Sequence, residues 1–517
     1  MQQNQPPVYV LNTSTKRETG RRAQVSNIAA AKAVADVIRT CLGPRAMLKM
    51  MLDPVGGLAL TNDGHAILRE IDVAHPAAQS MIELARAQDE SVGDGTTSVV
   101  VLAGELLQEA GPLLSVQGLH PSHIIASYTR SLALALEHVE KHAAFSVDPE
   151  DDEILFSMAA ASLSTKFTAR WSNLMCRLAV SASRVTTDRK RYVKIEKVPG
   201  GDLLTESRVI PGVMLNKDVV HAKMRRSIEK PRILLLDCPL EFRKNESQTN
   251  LELENEEDWA VVLQREEDYV KALCDGIAAL KPDIVVTEKG VSDLAQHYLV
   301  KHNITAFRRL RKSDNNRLAA VTGAKICHRV EEATEEDMGT KCGLMEVRKL
   351  GDEYFAFFEK CEEKDLNACT ILLRGASKDM LNEVERNLHD AMAVVRNVMD
   401  DPRLVPGGGA VEMSLSLLLE QQEPALARAL TVIPRTLAEN CGASAIRCVT
   451  ALRAKHAEAP LDNIMFGIDG VTGKVRDMRK AGIVEPYAVK MQTLKTAFES
   501  AVLLLRVDDI VSSKAEQ

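Results

Sequence analysis

The stretch "ESVGDGTTSVVVLAGELL", Glu90 to Leu107, brackets an aspartate with two glycines, adds three hydroxyl residues and runs into an apolar helical pattern. A glycine turn ahead of a helix attracts anions, because the first N–H groups are unpaired and the macrodipole is positive there. Asp94 puts a carboxylate in that same spot. Two readings stand. Asp94 caps the helix and the glycines only make the turn. Alternatively a divalent cation lies between Asp94 and a phosphate, since Mg²⁺ typically takes one or two carboxylates plus phosphate oxygens. On the second reading Thr96, Thr97 and Ser98 add donors at the helix start. Spacing alone leaves both open.

Helices continue outward from this motif. "AAQSMIELARAQDESV" precedes it as an amphipathic helix, and "NIAAAKAVADVIRTCLG" sets Ile28, Ala31, Ala35 and Ile38 on one face before Gly43-Pro44. Between them "GGLALTNDGHAIL" alternates like a strand, turns at Asn62-Asp63-Gly64 and resumes. The middle of the chain differs. "RILLLDC" and "DIVVTE" are short apolar runs separated by the helical "REEDYVKALCDGIAAL", which predicts a small α/β layer. The acidic excursion "EFRKNESQTNLELENEEDW" reads as a solvated surface segment or a projecting arm. The last third is helical again, with a break at the triple glycine of "LVPGGGAVEMSLSLLLE".

At 517 residues the chain predicts two to four domains. Its net charge of −7, from 65 basic and 72 acidic residues, argues against a polyanionic partner, and 4% aromatic content weakens base stacking. Neither nucleic acid nor membrane is an expected partner: no run approaches about 18 apolar residues, and the opening residues lack a signal-peptide core. Ten scattered cysteines contain no C-x-x-C pair and read as reduced, buried thiols of a cytoplasmic protein.

The remaining candidates for chemistry are weak one by one. No Walker sequence and no G-x-G-x-x-G are present. Asp63 is explained by turn geometry, Asp390 by a solvent-facing place on its helix, and Lys166 in "SLSTKF" by an ordinary solvated loop. The run "RRLRK", Arg308 to Lys312, is a charged face.

Together, however, "TCLGPRAMLKMMLDPVGGLALTNDGHAILREIDVAHPAA", "QDESVGDGTTSVVVLAGELL", "ILLRGASKDMLNEVERNLHDAM", "LVPGGGAVE" and "VLLLRVDDIV" resemble the group II chaperonins over essentially the whole chain. Phrases such as "TKRETGRRAQ", "RKSDNNR" and "VIPRTLAENCGAS" look most like the gamma-subunit branch of the eukaryotic cytosolic chaperonin, TRiC/CCT. The resemblance implies a multidomain chain that goes out and returns. A mostly α-helical equatorial domain would use 1–145 and 404–517, and an α/β intermediate domain 146–212 and 369–403. An α/β apical domain would occupy 213–368, with a helical protrusion near 244–259. It also implies an ATPase with ATP and Mg²⁺ as ligands and K⁺ as a further candidate cation. Seven paralogous subunits would complete a hetero-oligomeric double ring that folds non-native actin, tubulin and other clients.

Carried over residue by residue, the resemblance makes Asp94 the Mg²⁺ ligand and Gly95, Thr96, Thr97 and Ser98 the phosphate turn. Leu42, Gly43 and Pro44 become a second phosphate loop, and Asp63 and Asp390 the pair that positions or activates water. Lys166 becomes the γ-phosphate sensor, Gly408 and Gly409 the ribose- and adenine-side glycines, and Glu485 the acidic ribose position. Two segments, 185–201 and 417–437, are short against the family's pattern, as is the carboxyl-terminal tail. A nucleotide-binding subunit that hydrolyses little and mainly shapes the ring is the rival reading. A monomeric metabolic kinase is disfavoured, because no phosphoacceptor site is evident.

Overall fold

The computed structural model describes residues 16–52, 58–185, 192–242, 256–361 and 367–512. Most of the protrusion expected near 244–259 therefore lies outside the described residues, as do 186–191 of one short segment and the last five residues. The chain forms two compact units, Met1–Val180 with Arg386–Gln517, and Ser181–Glu385. Helix and sheet are mixed, with 54% helix.

The first unit is built around the helix Thr96–Ser115, which opens inside the quoted motif. Val99 through Leu107 are all buried, with Glu105 paired to Arg39 and Arg435, so this helix is covered on every side at the centre of a bundle. Amphipathic helices surround it: Arg21–Arg39, Pro76–Val92, Pro121–His138 and Tyr487–Leu505. Gly104 permits a close crossing, since a Cβ there would lie 2.5 Å from the Ala35 Cβ. The Tyr128 hydroxyl donates to the Leu106 carbonyl at 2.8 Å, and its ring meets Phe498 at 6.0 Å. Lys16–Thr19 pairs antiparallel with Asp509–Ser512, tying two distant stretches of chain together.

Two local readings need correction. The pattern after Asn62 is not a resumed strand. Strand Leu58–Thr61 ends there and a short helix, Gly64–Arg69, begins, because Asp63 caps it by accepting from the Ala66 N–H. The helix expected to run to Gly43 stops at Arg39, with Thr40 as its C-cap.

In the second unit, four parallel strands run in the order Thr305–Phe307, Ile284–Thr287, Ile233–Leu236, Ile326–Cys327. The two central strands are buried along their whole length, as a sheet covered by helices requires. A four-stranded antiparallel sheet and a three-stranded mixed sheet complete the unit. All ten cysteines are free thiols, eight of them buried. Among the described residues, no helix is long and apolar enough to cross a membrane.

Candidate functional site

The site grows from three glycine turns of the first unit. Gly93, at φ +68°, closes the helix Pro76–Val92 in a conformation that side-chain-bearing residues avoid, and a Cβ there would strike Ala393. Asp94 follows. It does not cap the next helix: its Oδ1 accepts from the adjacent Gly95 N–H at 2.7 Å, and the helix starts with no side-chain cap. The Asp94 Oδ2 has only a long contact, 3.4 Å from the Ser162 hydroxyl. Buried Gln88 steadies the turn by donating to the Asp94 carbonyl at 3.0 Å.

A second uncapped start lies at the triple glycine. Gly408, at φ +62°, packs so tightly that a Cβ would come within 2.7 Å of the Ile468 carbonyl oxygen. Gly409 then opens the helix Ala410–Leu419, again without a side-chain cap. The third turn, Leu42-Gly43-Pro44, is held by Asn440, which donates to the Leu42 carbonyl at 2.8 Å.

These turns enclose a cavity of about 660 Å³. Leu42, Gly43, Pro44, Asp94, Gly95, Thr96, Thr97, Ser98, Lys166, Gly408, Gly409 and Glu485 all line it. Asp63 and Asp390 are not on its wall; they reach it through Lys166 and Thr96. The Lys166 ammonium lies 2.8 Å from Asp390 and 3.6 Å from Asp63, and the Thr96 hydroxyl donates to Asp63 at 3.0 Å.

Here the ordinary readings of Lys166 and Asp390 fail. Lys166 is not a solvated loop lysine, and Asp390 does not face solvent: their side chains are 10% and 12% exposed. The helix Lys378–Asp400 buries Leu381, Val384, Leu388, Met392 and Val395, spaced three and four apart on one stripe, and Asp390 on a further face as well.

Burial and charge drive the two aspartates apart. Burial pushes Asp390 up to about 8, reinforced by the nearby Asp63 and Asp94 and only partly opposed by Lys166. Burial acts on Asp63 too, but Lys166, the Ala66 N–H and the Thr96 hydroxyl hold it below the usual carboxylate range. Desolvation works against the Lys166 charge, yet the surrounding aspartates more than offset it, so the ammonium stays protonated. One carboxylate is thus kept ionised and the other can exchange a proton near neutral pH, a division typical of acid–base pairs.

The sequence reading missed several residues of the cavity wall. Asn62 lines it with a buried Oδ1 that has no partner, and Ser162 and Thr165 lie nearby on the wall. The hairpin turn Asp469-Gly470-Val471 adds another edge. "GIDGVTGKV" carries the same glycine-and-aspartate signal as the opening motif and could have revealed it. Lys490 also lines the wall, although it sits in an apolar helix pattern where nothing marks it.

The donor set suits a nucleoside triphosphate with Mg²⁺. Two uncapped helix starts and a lysine face the cavity, and Asp94 keeps one oxygen nearly free. Among the described residues, no cluster of three His, Cys, Asp or Glu could hold a metal unaided. A single carboxylate fits an ion that is completed by phosphate oxygens.

Comparison with known proteins identifies the family. Residues 34–515 match the TCP-1/cpn60 chaperonin family. The chain belongs to this family. It is 58% identical to T-complex protein 1 subunit gamma of Schizosaccharomyces pombe, over 98% of both chains. It is 56% identical to the Saccharomyces cerevisiae protein of that name, over 99% of this chain and all of the relative. Against the human one it is 54% identical, over 98% of this chain and 95% of the relative. Membership gives this chaperonin chain a role in protein folding, as a component of a chaperonin assembly.

Proposed function

We propose that this chaperonin chain binds ATP with Mg²⁺ in the 660 Å³ cavity and hydrolyses it to drive the folding of non-native proteins. The observation that carries the reading is the meeting of Lys166, Asp63 and Asp390 beside the uncapped start of the Thr96 helix. Thr96, Thr97, Ser98 and Lys166 would hold the phosphates; Leu42, Gly43, Pro44 and Gly95 would shape their pocket. Gly408, Gly409 and Glu485 would take the ribose and base side. Asp94 would hold Mg²⁺, which when bound offsets the repulsion between this carboxylate and the phosphates. K⁺ is a further candidate cation.

Phosphoryl transfer to water asks the protein for positioning and charge neutralisation rather than a nucleophile. Asp390, with its raised carboxyl, accepts the proton of the attacking water. Asp63, fixed by Ala66 and Thr96, orients that water. Lys166 balances both carboxylates and the developing charge.

On the family's pattern, 1–145 with 404–517 is the equatorial domain, 146–212 with 369–403 the intermediate domain, and 213–368 the apical domain. Lys166 and Asp390 then come from intermediate segments and Asp63 and Asp94 from equatorial ones, so hydrolysis is coupled to domain motion. The assembly would be a cytoplasmic double ring with seven paralogous subunits, closing over clients such as actin and tubulin.

Asp390→Ala tests the reading. ATP binding should persist while hydrolysis by this chain slows by roughly 10²–10⁴-fold. Loss of binding and turnover together would refute the division of labour. Unchanged turnover and folding yield would favour a structural subunit that hydrolyses little.

A further inference from the structure

Lys490 lines the cavity with only 3% of its side chain exposed. Its ammonium lies 2.7 Å from Glu412 Oε1 and 2.8 Å from Glu485 Oε2. Glu412 is just as deeply buried, and its Oε2 has no hydrogen-bond partner. Glu485 differs, lining the cavity with 39% of its side chain exposed.

Stability is a poor reason for such a cluster. Burying an ammonium and a carboxylate is costly, and apolar residues of similar size often do as well or better. What the cluster does provide is a fixed geometry. The backbone of Glu485 is pinned in strand Val484–Pro486 by pairing with Val405. Its flexible side chain is pinned by Lys490, and Lys490 in turn by Glu412. With Oε2 bound to Lys490, Oε1 lies against Gly407, so close that a Cβ there would approach it to 3.3 Å. The carboxylate thereby lies along the same glycine turn that opens the Ala410 helix. Burial, with Glu412 and Asp94, pushes the Glu485 carboxyl up, and Lys490 is what opposes that rise and favours the ionised form.

We propose that Lys490, anchored by Glu412, is a positioning residue that holds Glu485 to accept from ribose hydroxyls, giving the cavity its preference for ribonucleotides over deoxyribonucleotides. The inference rests on the nucleotide reading above. A carboxylate held by a buried cation cannot turn away to solvent, so a missing hydroxyl leaves it without its partner. Such a loss is worth at least about tenfold in affinity, because a hydrogen bond to a charged group is at stake.

The test uses the full-length chain in its complex, an azido-ATP photoprobe, and mass spectrometry to count the label on this chain. ATP and 2′-deoxy-ATP compete with the probe. The native chain should favour ATP by about tenfold or more, and Glu485→Gln should reduce that preference to less than about threefold. The variant Glu412→Met with Lys490→Met replaces the buried pair by apolar residues and so protects folding. It should lose the preference to the same extent, with a raised KM for ATP and kcat largely unchanged. A double variant that keeps the native preference would overturn the role of Lys490 while leaving the nucleotide reading intact. A native chain whose labelling ATP does not compete would overturn the nucleotide reading itself.

Discussion

If Asp390 is the base that takes a proton from water, hydrolysis must follow its titration. Its carboxyl lies at about 8 because it is buried near Asp63 and Asp94, with Lys166 only partly compensating. A base works in its unprotonated form, so turnover rises with pH. With that value, about one-tenth of the sites are competent at pH 7, about one-hundredth at pH 6 and about half at pH 8. The rate should therefore climb about 50-fold from pH 6 to pH 8 and flatten above about pH 9. Asp390→Asn should remove the slope as well as most of the rate, because the amide cannot accept the proton. The assay is single-turnover hydrolysis by the complex with native or substituted chain, the difference being this chain's share. A flat native profile between pH 6 and pH 8, or the same slope in Asp390→Asn, would refute the assignment.

Lys166→Met leaves Asp63 and Asp390 as adjacent buried carboxylates and should destabilise the fold by about 3–5 kcal/mol near pH 8. Without the ammonium both carboxyls protonate more readily, so the deficit should shrink towards pH 5 in denaturant melts. Gly408→Ala forces a side chain into φ +62° and against the Ile468 carbonyl; backbone strain alone should cost about 1–3 kcal/mol. The expected result is a lower melting temperature together with weaker ATP binding in calorimetry. Phe498→Ala empties a fully buried site beside Tyr128 and should cost about 3–5 kcal/mol by denaturant unfolding, with no selective effect on nucleotide binding.

The local elements were legible because their causes are local. Periodicity predicts the apolar Thr96–Ser115 helix, and the positive φ of Gly93 belongs to the C-cap of the helix before it. Asn62-Asp63-Gly64 was misjudged for a related reason. The same residues serve a turn or a helix cap, and only the helix that follows shows which.

The site residues were legible singly and undecidable singly. A lysine in a loop and an aspartate off the apolar stripe carry no mark of burial. Lys166, Asp63 and Asp390 acquire their charge states only when packing brings three distant segments together in a low-dielectric setting. The same holds for Lys490, which looks like a helix-surface lysine until Glu412 and Glu485 are seen around it. Sequence by itself determined the helices, the glycine turns and, through its motifs, the chaperonin family. Tertiary structure alone decided which carboxylate stays ionised, which can take a proton and which lysines are buried, because burial and charge proximity depend on the whole fold.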